Sequence, residues 1–156
     1  MTSAVVGSDK NREMERMLLD VVQALHDSQR GFLEVGERLE DEVLKRYFLA
    51  ESLKRARFRA ELEGELHRSG LADVEETGTM FGAFLRAWGG MKVMLGGGDP
   101  TLLATAAQGE DETKRAYQDA IEQELPYPVR VLLASQQEHV AMAYDYIRKH
   151  IEKLAA

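Results

Sequence analysis

Apolar residues along this chain recur in alternating steps of four and three, which is the heptad pattern of helices that pack as a bundle. The pattern predicts a first long helix that begins near Ser8 or Asp9, either of which can cap the leading amide groups. After a turn near Glu40, a second long helix is predicted to end near Ser69, because Gly70 can adopt the left-handed conformation of a helix cap. No segment shows the two-residue alternation of a β-strand.

The same pattern predicts which residues of these two helices face the interior. Both stripes are apolar except near their middle, where polar residues replace the apolar ones. On the first helix the stripe is expected at Met14, Leu18, Val21, Leu25, Ser28, Phe32, Val35 and Leu39. On the second helix it is expected at Leu44, Phe48, Glu51, Arg55, Phe58, Leu62 and Glu65.

A third, shorter helix is predicted around Trp88, which is the only tryptophan of the chain, and it ends at the three glycines 96–98. Its apolar positions are Phe81, Phe84, Trp88, Met91 and Leu95. We expect this apolar stretch to pack across the bundle, although a ligand pocket or a surface for a protein partner would have the same composition.

Two more long helices complete the pattern. Asp99 and Pro100 form a start signal for a helix that runs to about Leu125. The segment 126–128, Pro-Tyr-Pro, forces a break before a last helix that runs from about Pro128 to Leu154. The stripes are expected at Leu103, Ala106, Glu110, Thr113, Tyr117 and Ile121, and then at Leu133, Gln136, Val140, Ala143, Ile147 and Leu154.

The composition fits a single helical domain. Hydrophobic residues make up 44% of the 156 residues and charged ones 30%, which suits amphipathic helices rather than a disordered chain. The absence of cysteine excludes disulfides and thiolate ligands. We therefore expect an all-α fold, an antiparallel bundle of four long helices with an additional short helix between the second and third. Residues 11–156 are expected to form this domain, after a flexible tail of residues 1–10.

The net charge of −7 argues against nucleic acid as a partner, since phosphate contacts need a clustered positive surface. One basic cluster lies in the second helix, but four glutamates alternate with it, so a solvated helix face is the better interpretation. No apolar run is long enough to span a membrane, and the first residues do not resemble a signal peptide. The sequence therefore predicts a cytoplasmic protein without membrane contact.

Each long helix turns polar near the middle of its stripe. In an antiparallel bundle these positions meet at a similar height, so we expect one internal polar layer. The structural interpretation is a buried ion pair of Arg55 with Glu51 or Glu110, supported by hydrogen bonds from the neutral members. The expected members of the layer are Ser28, Glu51, Arg55, Glu110, Thr113 and Gln136.

The alternative interpretation of this layer is a centre for two metal ions. Helical bundles that hold two iron or manganese ions use one Glu from each of two helices and a Glu-x-x-His from each of the others. Glu51, Glu110 and His139 are the candidate metal ligands here, and Gln136 stands where the last helix would supply a Glu. The set is incomplete, and Arg55 would repel a dication. We therefore expect no cofactor, or iron or manganese if this alternative holds.

The remaining histidines and tyrosines are expected to be structural. His26, His67 and His150 lie on separate turns, as surface or helix-end residues do. Tyr117 and the other tyrosines of the late helices are expected in the core with the hydroxyl at the rim.

Residues 14–150 resemble a bacterial ferritin-like four-helix-bundle domain family of unknown function. The resemblance rests on the order and spacing of several segments: RARFRAELEGELHRSG, GTMFGAFLRAWGGMKVMLGGGDP, GEDETKRAYQDAI, ELPYP, VRVLLASQQ and YDYIRKH. It implies a ferritin-like fold that is often dimeric. Where relatives often carry an acidic residue in the first helix this chain has Arg30, and where they often have His-Asp it has Tyr144-Asp145. Both differences remove potential metal ligands, so only Glu51 and Glu110 carry over.

The leading functional hypothesis is a non-enzymatic or degenerate ferritin-like protein, stress-associated and acting through self-association, with no catalytic residues. The first alternative is a metal-dependent oxidase, a peroxidase or an iron-binding stress protein that uses the candidate ligands. The second is a protein-interaction module that uses the tryptophan-containing helix. In the leading hypothesis the partner is a second copy of the chain, in a homodimer.

Overall fold

A computed structural model describes residues 2–71, 88 and 97–155, with side chains from residue 9 onward. The described residues form four helices and no strand, in the order α1, α2, α3 and α4. These helices span Thr2–Arg38, Glu42–Arg68, Asp99–Ile121 and Tyr127–Ala155. The prediction of an all-α bundle of long helices is confirmed. The predicted short helix lies outside the described residues, apart from Trp88. None of the described helices carries a segment long and apolar enough to cross a membrane.

The ends of α2 follow capping residues, and the other helices bring three corrections. The expected N-cap of α3, Asp99, is its first helical residue, and Gly98 is the N-cap, without a side-chain hydrogen bond. The Asp41 carboxylate accepts a hydrogen bond from the backbone amide of Leu44 at the start of α2, and Gly70 has a φ of 79° after its end. α1 begins at Thr2 rather than at Ser8 or Asp9, because no proline interrupts the leading residues and each added residue gains a backbone hydrogen bond. The flexibility predicted for residues 1–10 stays a prediction.

The third correction concerns the end of α3, which lies at Ile121 rather than near Leu125. Arg130 of α4 donates hydrogen bonds to the backbone carbonyls of Ile121, at 3.0 Å, and Gln123, at 2.5 Å. These bonds satisfy carbonyl groups that the end of a helix leaves without a partner, so the helix can stop well before Pro126.

The helices form a ring in the order α1, α2, α4, α3, so that each contacts two neighbours. A short turn makes α1 and α2 antiparallel. The end of α1 also meets the start of α3, because the backbone amides of Glu40 and Asp41 donate to the two carboxylate oxygens of Asp99 at 2.9 and 3.0 Å. α2 and α3 therefore run in the same direction across the diagonal. The connection from Ser69 to Gly98 joins opposite ends of the bundle, which lie about 40 Å apart for a helix of this length.

The interior consists of two apolar clusters with polar residues between them. One cluster extends from Met14 to Leu25 on α1 and includes Leu62 of α2 and Leu133 of α4. The other surrounds Phe32 and Phe48. The predicted stripe of α1 is fully buried, which confirms it.

Three stripe predictions at helix ends are wrong. Leu66 is buried instead of Glu65, because a straight helix drifts away from a strict heptad repeat. Ile121 is only half-buried, since it is the last residue of α3. Leu154 is 47% exposed because α4 extends beyond the start of α2: Tyr146 stacks on Tyr47 near that start, two turns before Leu154.

Trp88 lies fully buried between α1 and α3. A Cβ atom on Gly31 of α1 or Gly109 of α3 would overlap its ring, so both helices need glycine at this height. The ring also contacts Phe32 edge-on, with 5.4 Å between centroids. The indole therefore occupies space that two missing side chains leave open.

Gly31→Ala is expected to destabilise the protein by about 1–3 kcal/mol, the usual cost of overpacking a core. Gly64→Ala is the matched control, because the nearest atom to its added Cβ is Arg68 Nη1 at 3.5 Å. This control should stabilise α2 by about 0.5–1 kcal/mol, as Gly→Ala does in open helix positions. Urea unfolding followed by circular dichroism measures the stability of both variants. Equal effects of the two substitutions would contradict the close contact of Gly31 with the Trp88 ring.

Candidate functional site

A buried ion pair joins α2 to α3 across the diagonal of the bundle. Arg55 Nη1 lies 2.6 Å from Glu110 Oε1, and Arg55 Nη2 lies 2.7 Å from Glu110 Oε2. Both side chains are completely buried. The two parallel hydrogen bonds form the bidentate geometry that makes an arginine–carboxylate pair strong and directional.

A second carboxylate extends this pair towards α4. Glu51 Oε2 accepts a hydrogen bond from Arg55 Nη2 at 3.2 Å. On its other side, Glu51 lies 2.9 Å from His139 Nε2, and because a carboxylate can only accept, the imidazole donates. Lys54 Nζ is 3.7 Å from the same carboxylate. Three helices thus meet in one charged cluster, defined here as Glu51, Arg55, Glu110 and His139.

Of the four residues that define the cluster, His139 on α4 is the one with a partly exposed side chain. Glu51 is 1% exposed, whereas His139 is 28% exposed. The Phe58 ring contacts the imidazole edge-on at 5.2 Å, and the Phe32 ring lies 4.9 Å from Arg55 Cζ. Apolar rings therefore surround the charges and reduce the access of water to them.

The surroundings shift the pKa values of the three fully buried members of the cluster. Burial lowers the pKa of Arg55, but the charges and hydrogen bonds of Glu110 and the charge of Glu51 outweigh it and raise the pKa above its ordinary value. Burial raises the pKa of Glu110, which Arg55 opposes without reversing. Burial also raises the pKa of Glu51, but the hydrogen bond from His139 and the charge of Arg55 bring it below its ordinary value. The guanidinium therefore stays charged, and Glu51 is the more readily ionised carboxylate.

The neutral members of the predicted layer do not contact the charged cluster by hydrogen bonds. Ser28 and Thr113 are buried, but each hydroxyl donates to a backbone carbonyl of its own helix, those of Leu25 and Gly109. A buried hydroxyl can bond to the preceding turn in this way. The prediction that these two hydroxyls support the ion pair by hydrogen bonds is therefore wrong.

Gln136 belongs to a separate chain of hydrogen bonds. Tyr117 donates to Gln136 Oε1 at 2.8 Å, and Gln136 Nε2 donates to the carbonyl of Phe58 at 3.0 Å. The Tyr117 hydroxyl thus lies in the interior and not at the rim, which corrects that prediction. Burial raises the pKa of Tyr117, so its hydroxyl remains a donor.

In the part of the chain that the structure describes, two buried polar residues were not predicted. Ser52 donates to the carbonyl of Gln29 at 2.8 Å and joins α2 to α1, and Asp27 is only 4% exposed. Ser52 could have been found from its place beside Glu51, at the edge of the stripe. Nothing in the heptad pattern distinguishes Asp27, which lies next to Ser28.

The three candidate metal ligands are near each other but do not form an open site. Glu51 and His139 are in contact, whereas the Arg55 guanidinium bonds to both Glu51 and Glu110. Among the described residues no group of three or more histidine or acidic side chains is arranged to hold a metal ion. A dication beside these ligands would also lie beside the guanidinium, so the residues present do not fit a metal centre.

The other positions singled out from the sequence lie away from the cluster. Arg30 and Asp145 are exposed, and Tyr144 lies under the Lys114 ammonium group at 4.2 Å. One ring nitrogen of His150 is 2.9 Å from the carbonyl of Tyr146. None of these residues takes part in the charged layer.

An all-α bundle with a charged layer at mid-height is the class of protein that these observations define. The chain belongs to the family described as Domain of unknown function (DUF2383), which matches residues 13–123. The match includes Glu51, Arg55 and Glu110, whereas Gln136 and His139 lie beyond it. No curated protein matches the chain.

Removal of either partner of the Arg55–Glu110 pair is expected to cost about 3–5 kcal/mol, because an uncompensated charge remains in the core. Arg55→Met and Glu110→Gln, alone and together, form a double-mutant cycle that urea unfolding can measure. The double variant should be more stable than the sum of the single losses predicts, by about 0.5–3 kcal/mol. Additive losses would contradict a direct pair. Arg55→Lys keeps the charge but loses the planar fork, and should lie between wild type and Arg55→Met.

Glu51 should contribute to stability in a pH-dependent way. Its pKa in the folded protein lies below the ordinary value of 4.5, so its ionised form stabilises the fold above that pH. The contribution is lost as the pH falls through the folded pKa. The stability difference between wild type and Glu51→Gln should therefore shrink below pH 4.5, as urea unfolding at a series of pH values would measure. Glu138→Gln controls for the loss of one exposed charge, and the same shrinkage in that variant would refute the assignment.

Proposed function

We propose that this chain is a ferritin-like protein in which a buried ion pair takes the place of a di-metal centre, and that it has no catalytic function of its own. The observation that supports this proposal is the contact of the Arg55 guanidinium with both Glu51 and Glu110. These two glutamates are the acidic residues that the resemblance carries over as candidate ligands.

The topology supports the ferritin-like assignment. Ferritin-like bundles differ from simple up-and-down bundles in having one long crossover connection. Here α1 and α2 are joined by a short turn, as are α3 and α4, while the connection between α2 and α3 joins opposite ends of the bundle. The diagonal, parallel arrangement of α2 and α3 follows from that connection.

The charge of the layer supports the absence of metal-dependent chemistry. A guanidinium beside two carboxylates supplies part of the positive charge that metal ions supply in a di-metal centre. An added dication would be a like charge within contact distance of Arg55, in surroundings where such repulsion is only weakly screened. Gln136, the other expected ligand position, is already bonded to Tyr117 and to the Phe58 carbonyl.

The third hypothesis, a module that binds partners through the tryptophan-containing helix, has less support. Trp88 is fully buried between α1 and α3, which is the behaviour of a core residue. Phe81 and Phe84 lie outside the described residues. Self-association of the bundle, in the bacterial cytoplasm, remains the mode of action that we propose.

A metal-loading experiment tests the proposal. The purified chain is incubated anaerobically with ferrous iron or with manganese, desalted, and analysed for bound metal. We expect far less than one metal ion per chain, in the wild type and in Glu110→Ala alike. Close to one or two ions per chain in the wild type, lost in Glu110→Ala but kept in the surface control Glu138→Ala, would overturn the proposal in favour of a metal-dependent oxidase or an iron-binding protein.

A further inference from the structure

Two tyrosine rings stack on each other where α2 meets α4. The ring centroids of Tyr47 and Tyr146 lie 3.8 Å apart, and the ring planes are inclined by 20°. Most aromatic pairs in proteins have centroids about 4.5–7 Å apart, with the rings edge-on or offset. A separation of 3.8 Å is close to the contact distance of two carbon atoms, roughly 3.5–4.0 Å. The faces of the two phenols are therefore in direct contact.

The Tyr146 ring is held from its other side by His150. The centroids of these two rings are 4.2 Å apart, with a tilt of 37°. Two such short distances fit on opposite faces of one ring, so the Tyr146 ring lies between those of Tyr47 and His150. The backbone carbonyl of Tyr146 can only accept, so His150 Nδ1 donates to it at 2.9 Å, and this bond fixes the imidazole. The surroundings of the stack therefore hold it in place.

Both phenols lie at the border between the core and the solvent. Tyr47 and Tyr146 are half-buried and pack against the apolar cluster around Phe32 and Phe48. Burial and the charge of Glu51 raise the pKa of Tyr47, and burial raises the pKa of Tyr146. Both hydroxyls therefore keep their proton at neutral pH, and a phenol that loses an electron here loses its proton as well.

We propose that Tyr47 and Tyr146 form a site of oxidative modification, at which one-electron oxidants from outside the chain join the two rings in a dityrosine between α2 and α4. The coupling of two tyrosyl radicals forms a bond between ring carbons, and the orbitals that form this bond project from the faces of the rings. A stacked pair presents those faces to each other, whereas an edge-on pair does not. The proposal depends neither on the charged cluster nor on self-association.

The reaction consumes two oxidising equivalents. One electron leaves each phenol for a one-electron oxidant, and each phenolic proton passes to water, which leaves two tyrosyl radicals. The radicals combine through one Cε carbon of each ring, next to the hydroxyl group. The hydrogen atoms on the two joined carbons then move to the phenolic oxygens, which restores both aromatic rings. In total two electrons and two protons leave the protein, and one carbon–carbon bond forms.

The other three of the five tyrosines lack this arrangement, and the structure describes all five. Tyr117 is completely buried, and its hydroxyl is bonded within the core. Tyr144 lies beneath the Lys114 ammonium group, and a cation there opposes the loss of an electron from the ring. Tyr127 is 77% exposed and its ring contacts no other described tyrosine. The stacked pair is therefore the place where two tyrosines of one chain can couple.

The cross-link would tie α4 to α2 beside the charged cluster. It closes a loop of residues 47–146 and so restricts the unfolded chain, in the way that a disulfide does. The chain has no cysteine, so a disulfide cannot provide such a link. Oxidation at this site therefore strengthens the bundle instead of disrupting its core.

Photo-oxidation of the full chain tests the proposal. Light, a ruthenium tris-bipyridyl complex and persulfate supply the one-electron oxidant, and the fraction with the size of a single chain is isolated in denaturant. We expect dityrosine fluorescence in this fraction, a mass lower by two hydrogen atoms, and a cross-linked peptide pair that contains Tyr47 and Tyr146. Tyr47→Phe and Tyr146→Phe each keep the stacked ring but remove the phenol, and each should abolish this product.

Two controls separate the stack from general oxidation of tyrosine. Tyr127→Phe removes the most exposed tyrosine and should leave the cross-link between residues 47 and 146 unchanged. Oxidation of the wild type in urea, where the helices no longer hold the two rings together, should lose it. An undiminished dityrosine signal from single chains of Tyr47→Phe would overturn the proposal. Dityrosine found only in covalently linked pairs of chains would do so as well.

Discussion

The bidentate pair of Arg55 with Glu110 is the interaction on which the arrangement of the four helices depends. A completely buried guanidinium needs a carboxylate placed to within a few tenths of an ångström, since unpaired charges are not tolerated in an apolar core. The pair therefore fixes α2 and α3 relative to each other, although these helices face each other only across the diagonal. Glu51 and His139 then bring α4 into the same register.

The heptad pattern predicted much of this fold because helix packing is a repeating, local property. Met14 to Leu39 recur in register over many turns, and a stripe of that length has few alternative interpretations. The predictions failed at helix ends. The drift of a straight helix from the heptad repeat buries Leu66 instead of Glu65, and Leu154 is exposed because α4 extends beyond the start of α2. The second of these errors could not be avoided, since no property of α4 alone shows where α2 begins.

The charged layer could be predicted as a set of positions but not as a set of bonds. Polar residues in the middle of an apolar stripe indicate a buried polar layer, and Arg55 was paired correctly with glutamate. Whether a hydroxyl bonds to a distant charge or to its own helix depends on its rotamer and on the local spacing of the helices. For this reason the hydroxyls of Ser28 and Thr113 donate to carbonyls of their own helices, and the Tyr117 hydroxyl donates to Gln136 rather than to solvent. Similarly, nothing in the heptad pattern identified Trp88 as the residue that fills the space beside Gly31.

The charge balance of the layer explains why it opens towards α4. Two ionised carboxylates against one guanidinium would leave one negative charge in excess inside the bundle. Glu110 accepts its two hydrogen bonds from Arg55 and is completely buried, and burial raises the pKa of this carboxylate. Glu51 is nearly as buried, yet its pKa is lowered, because His139 and Lys54 approach it from the partly exposed side. The excess charge therefore resides at the carboxylate that lies beside the only link to solvent among the described residues of the cluster.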